Sequence, residues 1–308
     1  MPDGRWFKGN LHTHTTNSDG DSDPPHVAAW YRQHSYDFLV LSDHNHVTVL
    51  EDATDQPGEW PVLVPGEEVT VNAMGTPVHI NAIGIRTRVE PVVVDDVVAG
   101  LQANVDAIRA AGGLASINHP NFQWAFDDRQ MGRVTGAWAF EVYNGHPRTN
   151  NLRSGGRPGT EDIWDRLLSN GTRIFGVATD DAHHFKGEFG NDRSNPGRGW
   201  VMVEAKECTP GALLSAMAEG RFYSSTGIVI GELRNTSREI VIEIDPRLEE
   251  KYSVTFVGAH GRELWRSEGE SARYRPGRMD EYVRAVVRSS RGASAWTQPV
   301  FVDDRVLL

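Results

Sequence analysis

The sequence predicts an α/β protein in which short strands alternate with helices, followed by a small all-β unit. Three observations predict it. Short apolar runs alternate with stretches of helical spacing through the first 220 or so residues, the pattern of βα units and a parallel sheet. Ionisable residues stand just past these runs: His12 and His14, Asp43 and His44, Glu67 and Glu68, His119, Asp181 and His183. After Gly227 the helical spacing stops, and short alternating runs separated by turns take over.

Residues 5–11 read as the first strand, and strand alternation sends His12 and His14 to the same side. Asp23 caps a helix with spacing over 27–34 and with Pro24 and Pro25 at its first turn. Residues 38–41 form the second strand, 61–71 the third, and 77–83 an extended segment carrying His79. The longest helical pattern, 94–111, stops at Gly112-Gly113. Strands follow at 114–118 and 137–143, the latter ending in Glu141 and Asn144. Thr160 caps a helix over 161–169, and the strand 174–178 delivers Asp181 and His183 to one face. A strand at 200–204 and a helix at 210–219, capped by Thr209, complete the α/β part. Runs at 240–244, 253–257 and 282–287 predict a small β-sandwich, dividing the chain into units 1–228 and 229–308.

The formal charge of -11 and pI near 5.5 leave no electrostatic footprint for a polyanion, which favours a small-molecule substrate over bulk nucleic acid. Cys208 is the single cysteine, so there is neither a disulfide framework nor a thiolate cluster, and any metal rests on His, Asp and Glu. No run approaches the ~18 to 20 apolar residues of a membrane span, and residues 1–5 lack the start of a signal segment. The expectation is a soluble, cytoplasmic protein with no membrane partner. No G-x-S-x-G elbow, P-loop or dinucleotide fingerprint is present, so no covalent intermediate is expected.

Taken in order, His12-x-His14, Asp19, Ser42-Asp43-His44-Asn45, Pro65-Gly66-Glu67-Glu68, His79, Asn118-His119-Pro120 and Asp181-Ala182-His183 resemble the PHP metallohydrolases, named for polymerase and histidinol phosphatase. The resemblance covers roughly residues 5–228 and implies a distorted seven-stranded (βα) barrel. It also implies two or three divalent ions, Zn, Mn or Fe, which imidazole and carboxylate donors suit without choosing among them. Position by position, it places His12, His14, Glu68 and Asp181 on one metal, with Glu68 bridging to His79 and His119 on a second. Asp19, His44 and His183 complete a third, Asp19 standing where some members have histidine. Residues 222–227 and 295–301 resemble the branch that includes carbamate and aryl-ester hydrolases.

In each doubled acid only one side chain points inward. Glu68 is chosen from its place in the family pattern and Asp181 because it shares a face with His183. Asp43 and Asp180 are left to orient imidazoles or shape turns, and Glu141 is a candidate ligand or hydrogen-bond acceptor. His46, His146 and His184 are candidate pocket residues, with His26, His34 and His260 on the surface. Metal-activated hydroxide then makes hydrolysis the expected chemistry, with His183, His184 or a bound water protonating the leaving group. A small phosphomonoester is the first expected substrate, matched by arginines and lysine at 148, 153, 157, 186, 193 and 198. A carbamate or carboxylic ester is the alternative, walled by Trp124, Phe126, Trp138 and Tyr143. A non-catalytic metal-binding module is the third class.

Overall fold

The computed structural model describes residues 4–50 and 60–302. The signal-segment reading of residues 1–3 and the outer bounds of the two units lie outside the described residues. The first part runs β1 (Arg5–Asn10), α1 (Pro24–Gln33), β2 (Phe38–Leu39), β3 (Val62–Leu63), β4 (Gly66–Ala73), β5 (Thr76–Ile83), α2 (Val97–Ala110), β6 (Leu114–Ile117), α3 (Asp128–Met131), β7 (Ala139–Asn144), α4 (Thr160–Ser169), β8 (Phe175–Thr179), β9 (Trp200–Ala205), α5 (Pro210–Ala218) and β10 (Phe222–Ser225). The second runs β11 (Val229–Asn235), β12 (Ile240–Asp245), β13 (Tyr252–Gly258), β14 (Arg262–Glu268), β15 (Ser271–Tyr274), β16 (Tyr282–Ser289), β17 (Ser294–Thr297) and β18 (Val300–Phe301).

Local chemistry sets most helix starts. Asp23 accepts the His26 N–H at 2.9 Å and Asp96 that of Ala99 at 2.8 Å, each satisfying an amide the helix itself leaves open. Thr160 departs from its expected capping role. It is the first residue of α4, and its buried hydroxyl donates to the Val142 carbonyl, tying the helix to β7 instead of to its own amides.

The expected strand over 61–71 breaks at Val64-Pro65 into β3 and β4, which belong to different sheets. Proline offers no N–H to a ladder, and Gly66 lies so close to Val40 that a Cβ there would sit 2.6 Å from Cγ1. Gly9 is held in the same way: it pairs with Phe38 across β1 and β2, and a Cβ would fall 2.2 Å from the Phe38 ring.

Among the described residues no sheet closes into a barrel, which corrects the seven-stranded (βα) barrel expected from the resemblance. One sheet runs β14-β13-β16-β17-β10-β9-β1-β2-β3, with β18 on β16. A second runs β4-β5-β6-β7-β8, and a third β11-β12-β15. The physical reason lies in the connections. β4 turns directly into β5 as an antiparallel pair with no crossover helix, β5 to β6 is also antiparallel, and β1 is flanked by antiparallel β9. A repeating βα unit is therefore interrupted on both sides, and a parallel ladder cannot propagate round. The first two sheets instead share an apolar core that includes Phe7, Val40, Ile83, Val177 and Val201. They are linked at single backbone bridges, Thr13 to Ala182 and His44 to Glu68.

The large sheet crosses the expected unit boundary, because β10 pairs with β17. Ile230, Ile242, Val254, Phe256 and Val287 form the core between β11-β12-β15 and the end of that sheet.

Candidate metal centre

The two bridges that join the sheets also bring the ionisable residues together. Past β1, the His14 N–H donates to the Ala182 carbonyl at 2.9 Å and the Asp181 N–H to that of His12 at 3.0 Å, so the His12 and Asp181 segments run side by side. Past β2, Asn45 N–H donates to Glu68 O, and Glu68 N–H to Asp43 O, which brings His44 beside β4. His79 projects from β5 opposite Thr70, and His119 follows β6 with a backbone φ of 22°.

Glu68 stands at the middle of this arrangement with 1% of its surface exposed. Its Oε1 lies 3.1 Å from His79 Nδ1 and 3.4 Å from both His12 Nε2 and His119 Nε2, and it accepts the Asn118 amide at 2.7 Å. Its Oε2 makes no hydrogen bond. His44 Nδ1 comes within 2.7 Å of it, off the hydrogen-bonding direction and also 2.7 Å from Thr70 Oγ1. Asp181 Oδ1 is 3.4 Å from both His12 Nε2 and His14 Nε2, two nitrogens that face each other at 3.2 Å. On the open side, Asp19 approaches His183 Nε2 at 3.2 Å and His44 Nε2 at 3.6 Å.

Among the described residues four sets of donor atoms each lie within 4.8 Å of one another: His12, His14 and Asp181; His12, Glu68 and His119; His44, Glu68 and His79; and His14, Asp19, His44 and His183. The structure thus brings together all nine ligand positions expected from the sequence. It distributes them differently: His79 and His119 each meet Glu68, but in separate sets, and His14 joins the Asp19 set. The residues fit divalent cations. Two buried imidazole nitrogens aimed at one another and a buried carboxylate oxygen without a donor are costly unless a cation lies between them, and nitrogen with carboxylate oxygen suits Zn, Mn or Fe.

The supporting residues explain the doubled acids. Glu67 faces the other way, is buried and accepts the Val89 N–H at 2.6 Å; burial pushes its pKa up. Asp180 is also buried and accepts the Tyr31 hydroxyl and the amides of Gly197, Arg198 and Gly199, which anchors the 190–199 loop. Asp43 holds the loop after His14 through Thr15, Ser18 and Thr48. Glu141 is fully engaged: His12 Nδ1 at 2.7 Å and Thr179 Oγ1 at 2.5 Å on one oxygen, the His119 amide and Asn144 on the other. It orients His12 and keeps its Nε2 directed at the cluster.

His184 is not brought in. Its Nδ1 lies 3.0 Å from Ser194 Oγ, and it belongs to none of the four sets. His46 is exposed, whereas His146 stands 5.6 Å from His183, ring to ring. Sequence reasoning missed Phe122, whose ring is 5.2 Å from that of His119 and 6.0 Å from that of His146. Its place two residues beyond Pro120 in the same loop was the available signal. Of the expected basic residues, Arg153 pairs with Asp162, Arg193 approaches Asp21, Lys186 donates to the Asp21 carbonyl, and Arg198 is spent on the Gly145 and Gly190 carbonyls. Arg157 lies over the Trp124 ring. Arg148 stacks over Phe122, 5.4 Å from the ring centre, at the edge of the cluster.

Burial opposes charge throughout the cluster, yet the groups offset one another. The imidazoles of His79, His44 and His12 overcome burial and hold the Glu68 carboxyl well below its ordinary range, and His12 and His14 do the same for Asp181. In return Glu68 and Asp19 push His44 up to about 10 against its burial. Burial, with help from the neighbouring His183, pushes His14 down to about 4. Metal-free protein therefore carries a proton on His44 at neutral pH that a cation must displace, because the ligand is neutral imidazole. Metal affinity should rise with pH towards about 10, and calorimetry at pH 7 in buffers of different ionisation enthalpy should record net proton release. Binding without proton release would contradict this charge state.

No family model matches the sequence, and no curated protein matches it significantly. Among solved structures, a two-domain protein from Bacteroides vulgatus containing a predicted PHP-like metal-dependent phosphoesterase superposes with a TM-score of 0.53 at 16% identity, over 93% of this chain and 91% of that one. This chain has the fold of that protein. The likeness spans both parts of the chain. An amidohydrolase from Chromobacterium violaceum aligns over 70% of this chain and 96% of its own at 17% identity, but its TM-score of 0.43 carries no weight. Among the described residues no helix is long and apolar enough to cross a membrane.

Proposed function

We propose that this protein is a metal-dependent hydrolase of a small phosphomonoester. The observation that carries the reading is the buried Glu68 carboxylate, one oxygen lacking any hydrogen-bond donor, ringed by the imidazoles of His12, His14, His44, His79 and His119. His12, His14, Asp19, His44, Glu68, His79, His119, Asp181 and His183 would hold two or three ions. Divalent cations in such a donor set lower the pKa of a coordinated water and polarise a substrate oxygen. The chain itself supplies orientation. Glu141 fixes His12, Thr70 engages His44, and Asn118 positions Glu68. His183 and Asp19 form the open rim where a substrate enters, with Arg148, which makes no ion pair among the described residues, beside Phe122 next to it.

Phosphate is favoured over a carbamate or carboxylic ester by the fate of the expected apolar walls. Phe126 is buried in the core, Trp138 donates its indole N–H to Met217 O, and Tyr143 stacks on Trp296. A paired guanidinium contact to phosphate is a charge-assisted hydrogen bond. Arg148→Ala should therefore cut kcat/KM for an aryl phosphate roughly 10- to 100-fold, mainly through KM. An unchanged KM would remove Arg148 from substrate binding. The whole reading is tested by turnover of an aryl phosphate and of the matching carboxylic ester before and after chelation. Chelator-sensitive phosphate turnover supports it, and ester turnover alone overturns it.

A further inference from the structure

A second cavity, of about 970 Å³, opens where the 149–161 loop and α4 face the β16–β17 hairpin. None of the nine candidate metal ligands lines it. The Asn151 side chain forms part of the partition: it exchanges two hydrogen bonds with the Asn144 backbone, and Asn144 in turn donates to Glu141 and Asp181.

The cavity lining has the wrong chemistry for an inert crevice. In a chain of net charge -11, its charged residues among those described are Arg198, Arg288 and Arg291 against the one carboxylate of Glu161. Glu161 is already neutralised by Arg288 at 2.5 Å and Arg284 at 3.9 Å. Arg291 is exposed and its guanidinium makes no ion pair among the described residues. One nine-tenths-buried polar group in the lining also lacks a partner among the described residues. Thr149 Oγ1 makes no hydrogen bond, whereas the Trp296 indole N–H is turned to the Glu161 carboxylate. The Tyr143 and Trp296 rings, stacked at 6.2 Å, supply an aromatic wall. Arg198 and Arg288 are committed to carbonyls and to Glu161 and Ser294, and Arg291 keeps the unused donors that recognise phosphate oxygens; an aromatic wall suits a planar ring, and the volume matches a nucleotide-sized molecule.

We infer that this cavity binds a small organic phosphate carrying a planar ring, at a site separate from the metal cluster. The inference does not rest on the proposed hydrolase function. It is tested by calorimetric titration of AMP, inorganic phosphate and adenosine into the full chain, both metal-loaded and chelator-treated. AMP should bind one to one in both preparations, more tightly than phosphate, with adenosine at least about 10-fold weaker. Arg291→Glu, on an exposed side chain that folding does not need, should weaken AMP at least about 10-fold without changing metal content. AMP binding that is unchanged in Arg291→Glu, that disappears on chelation, or that is absent from the native protein at millimolar concentration overturns the inference. Failure of the phosphatase assay alone leaves the site untouched.

Discussion

Glutamine in place of Glu68 will strip most of the bound metal and lower turnover of a phosphomonoester by about 100- to 1000-fold, the several kcal/mol expected when cationic stabilisation is lost. The substitution keeps the shape of the side chain and leaves an oxygen to accept the Asn118 amide. What it removes is the charge that five imidazoles face: His12, His79 and His119 within 3.4 Å of one oxygen, His14 and His44 within 3.6 Å of the other. Metal content after dialysis, read beside far-UV circular dichroism, separates loss of the ions from loss of the fold. A folded variant with full metal and full activity would refute the proposed centre.

The second large effect lies far from the cluster. Arg284 is 1% exposed on β16 and grips Asp165 of α4 through two hydrogen bonds of 2.7 and 2.6 Å. The Tyr282 hydroxyl donates to the same carboxylate at 2.9 Å, and the guanidinium lies 5.0 Å over the Trp164 ring. Arg284→Met leaves a buried carboxylate without its counter-charge and should cost about 3–5 kcal/mol in chemical denaturation. Arg284→Met combined with Asp165→Leu should recover much of the loss, because the pair is then replaced by apolar packing. A single-variant loss below about 1 kcal/mol would mean that the pair carries little of the contact. The continuous sheet through β10 and β17 predicts that both parts of the chain lose structure in one transition.

Local chemistry was legible along the chain. Strand alternation predicts His12 and His14, and then Asp181 and His183, on common faces without knowledge of the fold; in the structure β1 and β8 end at Asn10 and Thr179, and Asp181 takes a φ of 50°. Asp23, Asp96 and Thr209 begin helices through side-chain caps; of these, Asp23 and Thr209 were read directly from the sequence. The order of the motifs also picks out Glu68, His79 and His119, and the structure brings His79 and His119 each beside Glu68, in separate donor sets.

What depended on partners remote in sequence was not legible. The barrel failed because a proline and a glycine that abuts Val40 split one apolar run between two sheets, and because β4 returns as a hairpin. Periodicity reports which face a residue takes, but not which strand will lie beside it. The same limit governs the cations. Arg148, Arg153, Arg157, Arg193 and Arg198 read alike in Gly-rich loops, yet Asp162, Asp21 and two carbonyls engage three of them, Arg157 lies over Trp124, and Arg148 lies over Phe122 beside the cluster. Likewise His183 and His184 are neighbours in sequence, but the chain turns one to Asp19 and the other to Ser194. The sequence by itself determined the donor types and the faces they occupy, because both are properties of single residues and single strands. The tertiary structure decided which donors share an ion and which charges remain free, because both depend on distances between segments that only packing brings together.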